Sequence, residues 1–382
     1  MKKLVVFPND PLLAYYKKGE IKTRYFNPKN FFNEVHIISL TDKEIDSGKV
    51  QVMAGSAKLK IYPVGRVLSI KNPFLFFKKY KQILEIIKNI NPCAIRAYNP
   101  EINGFIATKC AKTLNIPIII SLHGDFSEMR NFPLRYRFIK LKELKNHLSF
   151  IIISKLTEKY CLQNANLVIC VSKFLTKYAQ KYGAKKTEVI YNRVYFEQFK
   201  KSFISTNNKK LNILTVGRLE PQKNQQTLIR AMQNINGELT ILGNGRSKEA
   251  LKKLSMTLCI ENKIKFISSV NNNEIQKFYW KADIFAIASL WEGFCIPVLE
   301  AMATGLPIVV SNKEPLVEVL GNTGIVVENN PKDFTEAFLK LQKNPKLRKE
   351  LGEKAKERAI KLDGEIMEER ELNVYKKLIE KK

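Results

Sequence analysis

"DIFAIASLWEGFCIPVLEAMATGLPIVVS" (Asp283–Ser311) reads as a strand, a loop, a helix, a turn and a second strand. The first apolar run ends near Ser289, and Trp291, Glu292, Gly293 and Phe294 form a loop at its carboxyl end. Pro297 suits the first turn of the helix, where its missing N–H costs nothing. A Gly-Leu-Pro turn then leads into "IVVS". Continuous apolar strands separated by a helix indicate a parallel sheet covered on both faces. The loop amides of Gly293, Phe294, Cys295 and Ile296, with the helix end behind them, suit an anion such as phosphate. Glu292 and Glu300 lie on either side of that anion position. A carboxylate is a poor phosphate ligand and a good acceptor for sugar hydroxyls. Glu300 suits a ribose diol, as an acid does in dinucleotide folds. Glu292 suits the hydroxyls of a second sugar beyond the phosphates.

The same alternation extends outward in both directions. "KLVVFP", "EVHIISL", "CAIRAY", "IPIIISL" and "NLVICVS" are strands of the first half, with helix-length segments at Phe74–Ile90 and Glu101–Leu114. The pattern restarts with "LNILTVG", "ELTILG", "KIKFIS", "DIFAIAS", "LPIVVS" and "GIVVE", with helices near Gln225–Asn234, Ser247–Leu258 and Pro297–Ala303. The fold class is therefore α/β, with two doubly wound Rossmann-like domains. The polar stretch "FKKSFISTNNKK" (Phe199–Lys210) reads as a linker. It divides a first domain, 1–200, from a second, 201–364. Residues 365–382 read as a C-terminal helix that returns to the first domain. Ligands of open α/β sheets sit at the carboxyl ends of the strands, so two facing domains predict a cleft between them.

"TVGRLEPQKN" (Thr215–Asn224) closes the first strand of the second domain. Gly217 permits a tight turn, and Arg218 and Lys223 follow. Arginine grips phosphate oxygens bidentately and lysine adds a point charge, so the pair reads as a diphosphate clamp. "LGNGRS" (Leu242–Ser247) closes the next strand, and Gly243 and Gly245 allow close backbone approach. It lacks the third glycine of a dinucleotide fingerprint, because Lys248 stands there.

These motifs resemble those of the family 4 glycosyltransferases, retaining enzymes with the GT-B fold of two facing Rossmann-like domains. The family's E-x7-E motif is matched by Glu292 and Glu300, and its G-R-x3–4-K element by Gly217, Arg218 and Lys223. The resemblance covers about Leu211–Ala359. It implies that Arg218 and Lys223 bind the donor diphosphate, Glu300 the nucleotide ribose and Glu292 the transferred sugar. In the first half, "SLHGD" (Ser121–Asp125) puts His123 where such enzymes keep a histidine facing the reacting sugar. Three details depart from the pattern. The loop after the first strand has only Gly19. Asn192-Arg193-Val194-Tyr195 replaces the usual Asn-Gly-Val-Asp, and Cys295 follows Gly293-Phe294. Gly243, Gly245, Gly293, Phe294, Cys295 and Ile296 complete the expected donor site, with His123 and Glu292 as the catalytic pair.

Composition narrows the partners. The chain has 382 residues and a formal net charge of +29. Residues 1–200 hold 35 Lys and Arg against 14 Asp and Glu, whereas residues 201–382 hold 30 against 22. A basic first half suits an anionic partner. The segment Arg130–Tyr160, basic with interleaved apolar residues, suits an anionic membrane surface. No apolar run approaches the roughly 18 residues of a membrane span. Six cysteines without a C-x-x-C pair read as reduced thiols of a cytoplasmic protein, peripheral at the inner face of the membrane. Three scattered histidines make no metal signature, and no cofactor or metal is expected beyond the nucleotide-diphosphate sugar itself. The expected partners are that nucleotide sugar, a glycan or lipid-linked acceptor and the membrane surface; nucleic acid is not among them. A nucleotide-sugar epimerase and a non-catalytic nucleotide-sugar binder fit the same donor clamp.

Overall fold

The computed structural model describes residues 1–67, 74–135, 144–200, 210–268, 270 and 274–380. It divides into two compact units, Met1–Ile190 with Glu368–Lys382, and Tyr191–Met367. The second unit thus begins at Tyr191, ahead of the polar stretch, and Phe199 lies in its core. Residues 201–209 of the expected linker lie outside the described residues.

The first unit carries strands β1 (Lys3–Phe7), β2 (Glu34–Ser39), β3 (Lys58–Pro63), β4 (Ala94–Ala97), β5 (Ile118–Leu122), β6 (Leu167–Cys170) and β7 (Thr187–Val189). Helices α1 (Leu12–Lys18), α2 (Leu75–Ile90), α3 (Ile102–Thr113), α4 (Phe126–Arg135), α5 (Leu144–Asn164) and α6 (Lys173–Lys181) connect them. The sheet is parallel in the order β3-β2-β1-β4-β5-β6-β7.

The second unit opens with α7 (Phe196–Phe199) and carries β8 (Leu211–Val216), β9 (Gly237–Leu242), β10 (Ile264–Ile267), β11 (Ile284–Ile287), β12 (Ile308–Ser311) and β13 (Ile325–Val327). Its helices are α8 (Gln225–Ala231), α9 (Lys248–Thr257), α10 (Gln276–Lys281), α11 (Ile296–Thr304), α12 (Leu316–Leu320), α13 (Pro331–Lys343) and α14 (Pro345–Ile360). The last helix, α15 (Gly364–Ile379), carries the chain back into the first unit. This sheet is also parallel, in the order β10-β9-β8-β11-β12-β13.

Side chains of a strand point alternately to the two faces. Leu214 and Val216 of β8 and Phe285 and Ile287 of β11 enter one core with α11, while Ile213, Ile284 and Ala286 enter the other with α8 and α13. Each fully buried large apolar side chain contributes about 1.5–3 kcal/mol. The continuous apolar runs of the sequence are the consequence of this two-sided burial. The strand order turns back on itself between β8 and β11, and such a switch point opens a crevice at the carboxyl ends of the two strands.

Among the described residues, no helix is long and apolar enough to cross a membrane. Residues 136–143 of the basic segment lie outside the described residues. Arg130, read as part of a surface facing the membrane, is instead buried and ion-paired with the buried Glu158 at 2.7 Å. Ser154 and Tyr178 complete that interior network.

Candidate active site

The loops after β8 and β11, the two strands at the switch point, meet through their backbones. Leu290 N–H donates to the Gln222 carbonyl at 2.8 Å, and Gln222 Nε2 donates to the Trp291 carbonyl at 2.9 Å. This brings Lys223 to Glu292, with Nζ 2.5 Å from Oε1. Ser289 Oγ donates to the same carboxylate oxygen at 2.6 Å. Glu292 is buried, so two donors on one oxygen compensate for lost water. Burial opposes the charge on Lys223, but the carboxylate of Glu292 outweighs it and holds the ammonium above its ordinary range. Arg218 is exposed on the same loop, while Gln225 Nε2 fixes its backbone carbonyl at 2.9 Å.

Gly217 lies against the Lys223 side chain: a Cβ there would sit 3.6 Å from Lys223 Cε, an ordinary contact. The loop after β9 clamps this turn from the side. Leu219 N–H donates to the Asn244 carbonyl at 2.8 Å and Ser247 N–H to the Leu219 carbonyl at 2.9 Å. A Cβ on Gly243 would lie 2.0 Å from the Gly217 carbonyl oxygen, and one on Gly245 would lie 2.4 Å from that of Leu219. Both glycines are thus required by loop-on-loop packing.

Helix α11 starts at Ile296 with Pro297 in its first turn, so Glu300 lies just beyond that turn. Tyr279 OH, on α10, donates to Glu300 Oε2 at 2.6 Å. Burial and the adjacent carboxylate push the Tyr279 phenol well above its ordinary range, so it stays a donor. Phe294 packs against Tyr191 with ring centroids 5.8 Å apart. Cys295 is buried, and burial together with Glu292 pushes its thiol up to about 12. It is a neutral packing residue at the N-cap of α11, in the core of the second unit. Gly293 shares the loop between Glu292 and the helix start.

Below these loops, Asn329 Nδ2 donates to the Ala288 carbonyl at 2.8 Å and the Ser289 carbonyl at 3.1 Å, and Asn329 Oδ1 accepts from Asn224 Nδ2 at 3.0 Å. Tyr279, Ser289, Gln222 and Asn329 went unread in the sequence. Only Ser289, three residues before Glu292, had a local signal.

His123 lies in the first unit, directly after β5. Its imidazole stacks on Tyr98, at the end of β4, with ring centroids 5.7 Å apart and planes 18° apart. Asp125 caps α4 by accepting from Glu128 N–H at 3.0 Å, and burial raises its carboxyl above the ordinary range.

A family model described as Glycosyl transferases group 1 matches residues 196–358, and one described as Glycosyltransferase Family 4 matches residues 33–198. An uncharacterised glycosyltransferase of Methanocaldococcus jannaschii is 29% identical over 269 residues, 69% of this chain and 69% of that one. The N,N'-diacetylbacillosaminyl-diphospho-undecaprenol alpha-1,3-N-acetylgalactosaminyltransferase of Campylobacter jejuni is 25% identical over 329 residues, 81% of this chain and 83% of that one. The Anabaena protein HepE, solved in complex with UDP, shares the fold with a TM-score of 0.75 at 15% identity, over 99% of this chain and 100% of that one. Matched by one of these models in each half and carrying two parallel Rossmann-like sheets, the chain belongs to the family 4, group 1 glycosyltransferases of GT-B fold and is a sugar-transferring enzyme.

Proposed function

We propose that the protein transfers a sugar from a nucleotide-diphosphate sugar to a glycan or lipid-linked acceptor, with the anomeric configuration retained. The observation that supports this most is the contact of Lys223 with Glu292 beside the start of α11. A cation, a helix end and a carboxylate within one crevice suit a diphosphate joined to a sugar. The UDP of HepE and the lipid-linked acceptor named for the Campylobacter relative belong to those proteins, and this reading carries their chemical classes over.

In the proposed reaction the acceptor oxygen bonds to the anomeric carbon as the bond from that carbon to the phosphate oxygen breaks. The acceptor proton passes to the departing phosphate on the same face of the sugar. Arg218, Lys223 and the amides at the start of α11 stabilise charge growing on the leaving diphosphate, where such a site gains most of its rate. Glu300 holds the ribose, with Tyr279 orienting its carboxylate. His123 and Glu292 orient the sugar and stabilise its oxocarbenium-like state. With cations and amides in these places, no metal is assigned a role. The acceptor reading includes a peripheral seat on an anionic membrane. The basic first half supports it, as do the exposed Phe74 at the N-cap of α2, Phe77 of α2 and the exposed Ile152, Ile153 and Leu156 of α5.

The test is a panel of UDP-, GDP- and ADP-sugars with the purified full chain, read by release of nucleoside diphosphate with and without EDTA. Product from one donor class, an α-linkage from an α-donor by NMR, and turnover unchanged in EDTA are expected. Failure to turn over or bind any nucleotide sugar would sink the reading, and an inverted product would sink retention.

A further inference from the structure

The proposed role of His123 leaves open what holds its ring. In a parallel sheet, alternate residues of adjacent strands share a face. Arg96 and Tyr98 follow that rule at the carboxyl end of β4, and Ser121 and His123 at that of β5. Arg96 is buried, and its Nε donates to Ser121 Oγ at 3.0 Å. Its Nη1 is ion-paired with the buried Glu371 and donates to Tyr375 OH at 3.2 Å, both on α15. The guanidinium carbon stands 4.4 Å from the centroid of the Tyr98 ring, and that ring stacks on His123. Tyr98 is itself fixed by its N–H, which donates to the Phe7 carbonyl at 3.0 Å.

We infer that Tyr98, Arg96 and Glu371 are positioning residues for His123, and that α15 belongs to the active-site scaffold although it presents no group to the substrate. The physical basis is the sharing of a single ring. Tyr98 offers its π-face to a cation, an interaction that strengthens when the cation is desolvated, and offers a flat surface to the imidazole. Arg96 cannot turn away from Tyr98 while Glu371, Tyr375 and Ser121 occupy its fork, because a guanidinium presents its donors in a fixed plane. The imidazole is therefore held at one angle by a chain of contacts that begins on the last helix of the protein.

This inference rests on the reading of His123 as the group facing the transferred sugar, and its test separates the two. The first measurement needs no substrate. The imidazole signals of His123, assigned by their loss in His123→Gln, are recorded in the full chain and in Tyr98→Phe, Tyr98→Leu and Glu371→Gln. Tyr98→Leu and Glu371→Gln are expected to shift these signals, and Tyr98→Phe, which keeps the ring, to leave them nearly in place. The second measurement is transfer kinetics. Because small misplacements of a positioned group cost up to about a hundredfold in rate, Tyr98→Leu should lower kcat by roughly tenfold to a hundredfold with donor KM within about threefold. Tyr98→Phe should restore kcat. If Tyr98→Leu melts early, Glu371→Gln, which keeps the size of the side chain, carries the test. Unmoved His123 signals in both variants would overturn the positioning inference, as would equal kcat in Tyr98→Leu and the parent chain. Full activity in His123→Gln would instead remove the role assigned to His123 itself.

Discussion

Lys223 Nζ lies 2.5 Å from Glu292 Oε1, so the proposed phosphate cation and the proposed sugar carboxylate neutralise each other. A diphosphate would share the cation with Glu292. Both side chains are largely buried, at 13% and 5% exposure. Breaking such a pair from one side leaves a buried charge and costs roughly 3–5 kcal/mol.

Lys223→Ala is therefore expected to lower stability by about that amount, less any relief from water entry. Arg218→Ala removes an exposed side chain and should leave the denaturant midpoint in place. Both should weaken UDP far more than uridine in calorimetry, because only UDP carries the phosphates. Equal losses for UDP and uridine would remove the clamp.

The two glutamates should separate. Glu300→Ala is expected to weaken UDP and uridine alike through the ribose. Tyr279→Phe takes one hydrogen bond from that carboxylate, worth about 1.5–3 kcal/mol of stability, and should weaken both ligands alike to the extent that the carboxylate loses its orientation. Glu292→Ala should not weaken UDP binding, because it leaves Lys223 to the diphosphate alone, while transfer falls. Titrations in which Glu292→Ala loses UDP as strongly as Glu300→Ala would reverse the assignment.

Gly243→Ala should be destabilising in the absence of any ligand. Its Cβ would enter the space of the Gly217 carbonyl oxygen, 2.0 Å away. Backbone must shift to relieve the clash, and a loss of about 1–3 kcal/mol is expected in equilibrium unfolding. Gly19→Ala, with nothing within 4 Å of its added Cβ but a left-handed φ of +68°, should cost only about 1 kcal/mol. Similar losses at the two sites would argue against loop-on-loop packing as the cause.

Burial pushes the thiols of Cys110, Cys161, Cys170 and Cys295 up to about 12. In the unfolded chain a thiol ionises near ~8.5, so the folded state holds these protons more tightly. Their contribution to stability is fully present below that value and is lost as pH rises toward 12. The unfolding midpoint should accordingly fall between pH 8 and pH 10, with a shallower slope in Cys295→Ala. In native protein at pH 8, iodoacetamide should modify the exposed Cys259 ahead of these four. Rapid labelling of Cys295 in the folded enzyme would contradict its packed, protonated state.

The membrane seat predicts sedimentation with anionic vesicles at low salt and release at high salt, since exposed charges are screened. Lys155 and Lys159 of α5 are exposed, whereas Arg130 is buried against Glu158 and belongs to the fold. At about 1 kcal/mol per basic residue near the surface, the double reversal Lys155→Glu and Lys159→Glu should weaken vesicle binding by tenfold or more, with UDP affinity unchanged. Equal binding to neutral and anionic vesicles would favour a compositional origin of the charge.

The sequence by itself determined the strands buried on both faces, because a strand covered twice must be apolar throughout. It also determined the helix that begins beside Pro297 and the placing of Arg218, Lys223, Glu292 and Glu300 on segments that end or follow strands. The edge strands of the first sheet were not legible. Lys58–Pro63 alternates with lysines and Thr187–Val189 is short and half-buried, so neither carries the apolar signature. The partners were not legible either. Lys223 meets Glu292 across 69 positions, Glu300 meets Tyr279 across 21, and Arg96 meets Glu371 across 275. Only the tertiary structure decided these pairs. Local pattern reports which face of a strand is buried, whereas the neighbour of a side chain depends on sheet order. It is the placing of β8 beside β11 that brings Lys223 to Glu292, and of α15 against β4 that brings Glu371 to Arg96.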